Sequence, residues 1–224
     1  MTGPRQIPLE LGLEPARGRS QFFVSGSNEA ALAALDDWRR WPGGKQVLMG
    51  PEGSGKTHLA HVWADATGAR VVAAASLAEP DVPGLSEHGR VAVEDVPGLP
   101  PAAERALLHL HNLLAAREGS LLLTGRGAPP LWGIALPDLA SRVEAAGVAQ
   151  LRPPDDALLA ALLVKLFADR QMQAPPTLVA FLLPRMERSF AAAQRIVARL
   201  DALALAENRP VSRSLAARVL AEAA

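Results

Sequence analysis

Cysteine is absent from the 224 residues, so neither a disulfide nor a thiolate metal site can form. Tyrosine is absent too, and four Trp with five Phe leave little material for a base-stacking platform. The chain has no excess charge of either sign: 23 basic residues balance 23 acidic ones, and no overall field draws it to DNA or an acidic membrane. No apolar run approaches the roughly 20 residues a bilayer span needs. The start, Met1-Thr2-Gly3-Pro4-Arg5, leads into no signal-type apolar region. These absences predict a soluble, cytoplasmic protein. What is plentiful is apolar surface: 49% of the residues are hydrophobic, enough for a substantial core. A chain of this length holds one large domain or two unequal ones.

The most informative stretch is Gly50-Pro51-Glu52-Gly53-Ser54-Gly55-Lys56-Thr57, which fits the phosphate-binding pattern G-x-x-x-x-G-K-[ST] at every fixed position. Glycines let a backbone curl so that its N–H groups meet phosphate oxygens. Lys56 supplies a point charge for the outer phosphates, and the Thr57 hydroxyl is a ligand for Mg²⁺. The context agrees. Gln46-Val47-Leu48-Met49 before the loop reads as a buried strand, and residues 58–64 after it are apolar at helical spacing, beginning with His58. The following helix adds the positive end of its dipole.

Along the chain, residues 1–20 are rich in Pro, Gly and Arg and read as a flexible leader. A helix is predicted over 30–38. Strands are predicted at 46–49, 70–74, 91–93, 121–124 and 148–151, with helices over 102–117 and 136–146 and a loop over 80–89. Alternating strands and helices imply a parallel sheet covered on both faces. Beyond Arg152-Pro153-Pro154 only helical periods remain, over 156–170, 177–186, 190–206 and 214–223. Trp38, Trp41, Trp63 and Trp132 are expected to bury into the base, although Trp132 sits in a loop from which it could touch a partner.

A Mg²⁺-dependent phosphate loop needs an acid on a neighbouring strand. Val91-Ala92-Val93-Glu94-Asp95 offers two at the carboxyl end, where ligands bind in open α/β sheets. Taken alone this signal is weak, since apolar strands often end in acids. Arg142 read alone is equally a helix-surface arginine in a solvated salt bridge. Gln6-Ile7-Pro8-Leu9-Glu10-Leu11 read alone is a leader segment with a few aliphatics.

An α/β base followed by helices is the layout of AAA+ ATPases. The sequence resembles the DnaA-like AAA+ family, and within it the DnaA-homologous regulators of the Hda and HdaA type. The resemblance rests on Gly53-Ser54-Gly55-Lys56-Thr57-His58-Leu59, His111-Asn112-Leu113-Leu114 and Leu122-Leu123-Thr124-Gly125. Above all it rests on Leu136-Pro137-Asp138-Leu139-Ala140-Ser141-Arg142, and it runs from about Phe22 to the C-terminus. It implies an α/β fold: an AAA+ P-loop base with a parallel five-stranded sheet over 21–152, then an all-helical lid over 153–224. It implies ADP or ATP held by Gly50, Pro51, Glu52, Gly53, Ser54, Gly55, Lys56, Thr57, His58 and Arg188. Mg²⁺ would sit on Thr57, Glu94 and Asp95. Arg142 is implied to act in trans as an arginine finger on a neighbour's ATP. Gln6, Ile7, Leu9 and Leu11 are implied to dock on the DNA polymerase III sliding clamp, the beta subunit, as an extended peptide.

The implied function is negative regulation of replication initiation: clamp-tethered stimulation of ATP hydrolysis on the DnaA initiator, with ADP held in the chain's own site. Homo-oligomerisation is also compatible with it. The chain departs from the family pattern at three places. Glu94 stands where an aspartate is usual, Arg126-Gly127 follows the Thr-Gly pair where an acid is usual, and Ala191 falls where the lid normally offers an arginine. Arg188 or Arg195, about a turn away, is the available substitute. These departures predict nucleotide binding with weak or no intrinsic hydrolysis. With the lid as the last segment and net charge at zero, direct sequence-specific DNA binding is not expected. Two other readings stay open: a helicase-loading factor of the DnaC type, against which the short leader counts, and a small-molecule phosphotransferase. His109 and His111, two apart, are expected on different helix faces rather than in one metal site.

Overall fold

A computed structural model describes residues 23–222; Gln6, Ile7, Leu9 and Leu11 lie outside the described residues. Five strands form one parallel sheet: β1 (Lys45–Met49), β2 (Arg70–Ala73), β3 (Arg90–Glu94), β4 (Ser120–Gly125) and β5 (Gly147–Gln150). Their order is β2-β3-β4-β1-β5. The chain runs outward from β1 to the β2 edge, works back to β4, and then crosses β1 to reach β5. That reversal leaves a crevice at the carboxyl end of β1, where ligands bind in open sheets of this kind.

The sheet is apolar on both faces, as a parallel sheet covered by helices must be. Alternate residues face opposite ways. Val47, Val91, Val93, Leu121 and Leu123 pack under α3 (Val82–Glu87), α4 (Pro101–Ala116) and α5 (Pro137–Glu144), through Leu107, Leu110, Leu114, Leu139 and Val143. Leu48, Ala92 and Leu122 face α1 (Glu29–Asp36) and α2 (Lys56–Thr67), through Leu35, Leu59 and Trp63, with Trp41 of the α1–β1 connection in the same cluster. Each buried leucine or valine contributes roughly 1.5–3 kcal/mol.

A separate core joins the C-terminal helices α6 (Asp156–Asp169), α7 (Pro176–Leu182), α8 (Phe190–Ala206) and α9 (Arg213–Glu222). Their starts are written in the sequence. Asp155 accepts from the Leu158 N–H at 2.8 Å and Ser189 from the Ala192 N–H at 3.1 Å, while Pro176 occupies the first turn of α7, where its missing N–H costs nothing. The helix expected over 177–186 ends at Leu182 and passes into a 3₁₀ turn, Leu183–Arg185, because Pro184 cannot continue the hydrogen-bond ladder.

One further expectation is corrected. Residues 80–89 are not a loop: a 3₁₀ turn at Glu79–Asp81 feeds α3, which buries Val82 and Ser86. Trp132 is buried as expected, 2% exposed, its indole packed under the end of β4 and its Nε1 donating to the Gly127 carbonyl at 3.1 Å. Trp41 and Trp63 are buried and stacked at 5.1 Å, whereas Trp38 is half-buried beneath Arg39 and Arg90. No helix among the described residues is long and apolar enough to cross a membrane.

Candidate functional site

The loop Gly50–Thr57 leaves the carboxyl end of β1 and enters α2 at Lys56. The Gly50 N–H donates to the Gly125 carbonyl at 3.3 Å, tying the loop's start to the end of β4. Gly53 has φ +68°, and a Cβ there would overlap the Ser189 side chain. Lys56 is buried, and its Nζ donates to the carbonyls of Gly50 at 2.9 Å and Pro51 at 2.8 Å. A buried ammonium needs such acceptors. Burial pushes its pKa below the ordinary 10.5; the charges of Asp95, Glu52 and Glu94 oppose that, and the charge of Arg126 reinforces it. Thr57 stands exposed at the second position of α2 and His58, half-buried, at the third.

Those charges place the loop's surroundings. Glu94 ends β3, and its Oε1 is buried with no hydrogen-bond partner among the described residues. Asp95 follows at φ +57°, exposed, with its N–H donating to the Thr124 hydroxyl of β4 at 3.1 Å. Ser54 Oγ in the loop is likewise buried and unpartnered. Arg126 reaches back to Glu52 with Nη1···Oε2 at 2.8 Å. An ammonium, a loop of backbone donors, hydroxyls and two carboxylates are the donor set for a phosphorylated ligand with a hard divalent cation.

The C-terminal helices, expected as a lid, meet this loop through the start of α8. The Phe190 N–H donates to the Gly53 carbonyl at 3.0 Å, and the Phe190 ring lies 3.2 Å from where a Cβ on Gly55 would stand. Asn28, Ser54, His58, Leu59, Leu151 and Phe190 close around a space with no room for a water-sized sphere. Arg188 donates instead to Asp156 at 2.8 Å, and Arg195 to Glu187 at 3.3 Å; Ala191 is exposed. The lid residues on the loop are thus Ser189 and Phe190, which sequence reasoning did not single out. Ser189 was visible as a helix cap, but nothing local showed where that cap docks.

Arg142 lies elsewhere. It sits in the last turn of α5, five residues before β5, whose Gly147 pairs with Gln46 at the start of β1. That places the end of α5 toward the amino edge of the sheet, the edge opposite the phosphate loop. The charges of Arg142 and Lys45, the first residue of β1, both act on His111 of α4. The guanidinium is partly exposed and forks onto Asp138, Nε···Oδ1 at 2.9 Å and Nη2···Oδ2 at 3.2 Å. The segment entering α5 is fixed from below: buried Glu104 accepts from the Ala135 and Leu136 N–H groups, each at 2.9 Å. His111 is buried and His109 exposed, on different faces of α4.

No family model matches the sequence. Among solved structures, the chain is similar to domain III of the replication initiation protein DnaA of Thermotoga maritima: 18% identity, 93% of this chain and 97% of that one, TM-score 0.75. It is similar to AMPPCP-bound DnaA of Aquifex aeolicus at 17% identity over 84% of this chain and 65% of that one, TM-score 0.65. The Thermotoga maritima RuvB Holliday junction branch migration motor matches at 17% identity over 91% and 71%, TM-score 0.70. At these identities the likeness establishes the fold alone: a five-stranded parallel sheet covered by helices, with a helical C-terminal portion, as in DnaA domain III and RuvB.

Proposed function

We propose that this chain is an AAA+ nucleotide-binding regulator that lowers replication initiation by promoting hydrolysis of ATP held by a DnaA initiator. The base, 21–152, and the lid, 153–224, would hold ADP or ATP between them at Gly50–His58. The residues fit such a ligand, since the unpartnered Ser54 Oγ and Glu94 Oε1 and the paired-back Lys56 all await partners around one loop. Mg²⁺ would be held by Thr57, Glu94 and Asp95 and would neutralise charge between the outer phosphates. Intrinsic turnover is weak in this reading: the lid offers alanine at Ala191, and Arg188 is engaged by Asp156.

The single observation that carries the regulatory role is the placement of Arg142. A partly exposed guanidinium toward the opposite edge from its own phosphate loop is poorly placed to serve that loop, and on leaving Asp138 it would be able to enter a neighbour's. Its Asp138 pair is exposed and contributes only ~0.3–0.5 kcal/mol, so releasing it costs little. A guanidinium delivered in trans neutralises charge on the transferring phosphoryl group, worth roughly 10³–10⁵ in rate. The peptide Gln6-Ile7-Pro8-Leu9-Glu10-Leu11 would tether the chain to the sliding clamp on DNA, bringing Arg142 to the initiator. AMPPCP bound to DnaA of Aquifex aeolicus supports nucleotide binding by this fold.

The test is ATP turnover by DnaA with clamp on primed DNA. Adding this chain is expected to raise it, and Arg142→Ala to abolish the effect while clamp binding survives. Unchanged turnover would falsify the role. Capture of replicative helicase in place of clamp would move the reading to a loading factor of the DnaC type.

A further inference from the structure

One edge of the sheet is open beside an apolar groove. β5 pairs with β1, and the Leu151 N–H that follows it donates to the Met49 carbonyl at 2.8 Å. Alternate residues of a strand turn their N–H and C=O groups the same way, so Ala149 faces β1 while Val148 and Gln150 face outward. No hydrogen-bond partner for those outward groups is found among the described residues. Val148 is also 48% exposed. An unpaired edge of this kind is a template for a further strand unless something covers it. Between it and α1 runs a groove of about 260 Å³, floored by Ala30 and Ala34 and reaching Ser27 and Arg152.

The described residues begin at this groove. The Phe23 carbonyl accepts from Asn28 Nδ2 at 3.0 Å, and the Ser27 carbonyl accepts from the Arg152 N–H at 3.2 Å, so residues 1–22 join the base at the carboxyl end of β5. Among them, Gln6-Ile7-Pro8-Leu9-Glu10-Leu11 has an aliphatic side chain at every second position. Laid parallel to β5, as the strands of this sheet lie, Leu9 opposite Ala149 would donate to the Val148 carbonyl and accept from the Gln150 N–H. Opposed residues share a face, so Ile7, Leu9 and Leu11 would lie on the α1 side with Ala149, over Ala30 and Ala34. Pro8 has no N–H, and here it would face away from β5, the side on which an edge strand tolerates proline. Glu10 would come alongside Gln150 and Arg152. Antiparallel addition turns the aliphatic side chains to the opposite face, away from α1. Parallel addition also brings Leu11 to the end of β5 at which Phe23 stands, and residues 12–22 reach up to roughly 36 Å for the return.

We propose that Gln6–Leu11 adds to the β5 edge of its own chain as a further parallel strand, fills the α1 groove, and is withheld from outside partners while it lies there. Main-chain pairing supplies the contact and the aliphatic side chains select the register. The tether gives the segment an effective concentration of about millimolar, so a weak contact is enough to occupy the groove. The docking stands on the edge and the groove; its consequence for the sliding clamp rests on the clamp-binding reading above. In that reading the clamp competes with β5 for one peptide.

The experiment uses the absence of cysteine from the full chain, which lets an introduced pair report alone. A disulfide needs Cα atoms within about 7 Å. Under mild oxidation, Leu9→Cys with Ala34→Cys is expected to cross-link within one chain about tenfold faster than Leu9→Cys with Ala33→Cys, which is exposed on α1 outside the groove. Glu10→Cys with Ala34→Cys, turned to the other face, should be as slow as the Ala33→Cys control. Ala30→Arg, at an exposed position, should slow the fast pair by blocking the groove, with thermal unfolding as the folding control. It should also tighten clamp binding about three- to tenfold by surface plasmon resonance, because more of the segment is free to bind. Equal cross-linking rates at Ala33→Cys and Ala34→Cys overturn the proposal, as do cross-links that form only between two chains. Selective cross-links in a chain that binds no clamp uphold the docking and remove the clamp reading. Clamp binding without selective cross-links does the reverse.

Discussion

Gly53 carries two constraints at once, a φ of +68° and the Ser189 side chain where its own Cβ would be. Alanine there must both strain the backbone and push the lid away. Gly53→Ala is expected to lower stability by about 1–3 kcal/mol, measured by urea unfolding, and to weaken nucleotide binding in the same variant. His111 makes a second prediction at this scale. Burial first, and then the Lys45 and Arg142 charges, hold its pKa below the ordinary 6.5. As pH falls, the unfolded chain takes up this proton before the folded one does. The associated stability is therefore present above about pH 6.5 and is lost progressively below it. His111→Gln, neutral throughout, should flatten the fall in unfolding free energy between pH 7 and pH 5 relative to the unaltered chain.

Elements set where these residues act. Glu104 reaches from α4 to cap the entry to α5, so it positions Arg142 without touching it. Glu104→Ala leaves two N–H groups unpaired and should cost about 1–3 kcal/mol for each that stays dry. In the proposed role it should also lower stimulation of DnaA turnover while Arg142 remains present. Thermal unfolding and the turnover assay read the two effects separately. The strands were legible because apolar runs bounded by Gly, Pro and acids have few other uses, and the phosphate loop because its residue types are fixed at each position. Helix α3 was not legible. Pro80, Pro83 and Gly84 read as loop punctuation, yet Pro83 falls in the first turn, where it is tolerated, and Val82 and Ser86 find a buried face only once the sheet exists. Burial of Trp132 was expected from its size, but its seat under Gly125 is tertiary and no local signal reports it. The seat of Ser189 on Gly53 joins residues far apart in the sequence, and no periodicity reports such a contact. The amino-edge placement of Arg142 likewise needed the strand order.

At the scale of the whole molecule, the two chemical ends are separated: the phosphate loop at the carboxyl edge of the sheet, Arg142 at the amino edge. In the proposed role the ends fail independently. Lys56→Ala should abolish nucleotide binding, measured by fluorescence, because the loop loses its only cation. Gln6→Ala should lower clamp affinity, measured by surface plasmon resonance, and leave nucleotide binding as it was. The closed lid adds a coupling between distant surfaces. One peptide N–H, that of Phe190, belongs both to α8 and to the seal over the loop. In the proposed nucleotide-binding role, residence time of the ligand and tilt of the C-terminal bundle would be two readings of one equilibrium. A protein that clasped α6–α9 from outside and tipped α8 outward would then speed exchange from a distance, and by reciprocity the ligand would set how firmly that protein holds.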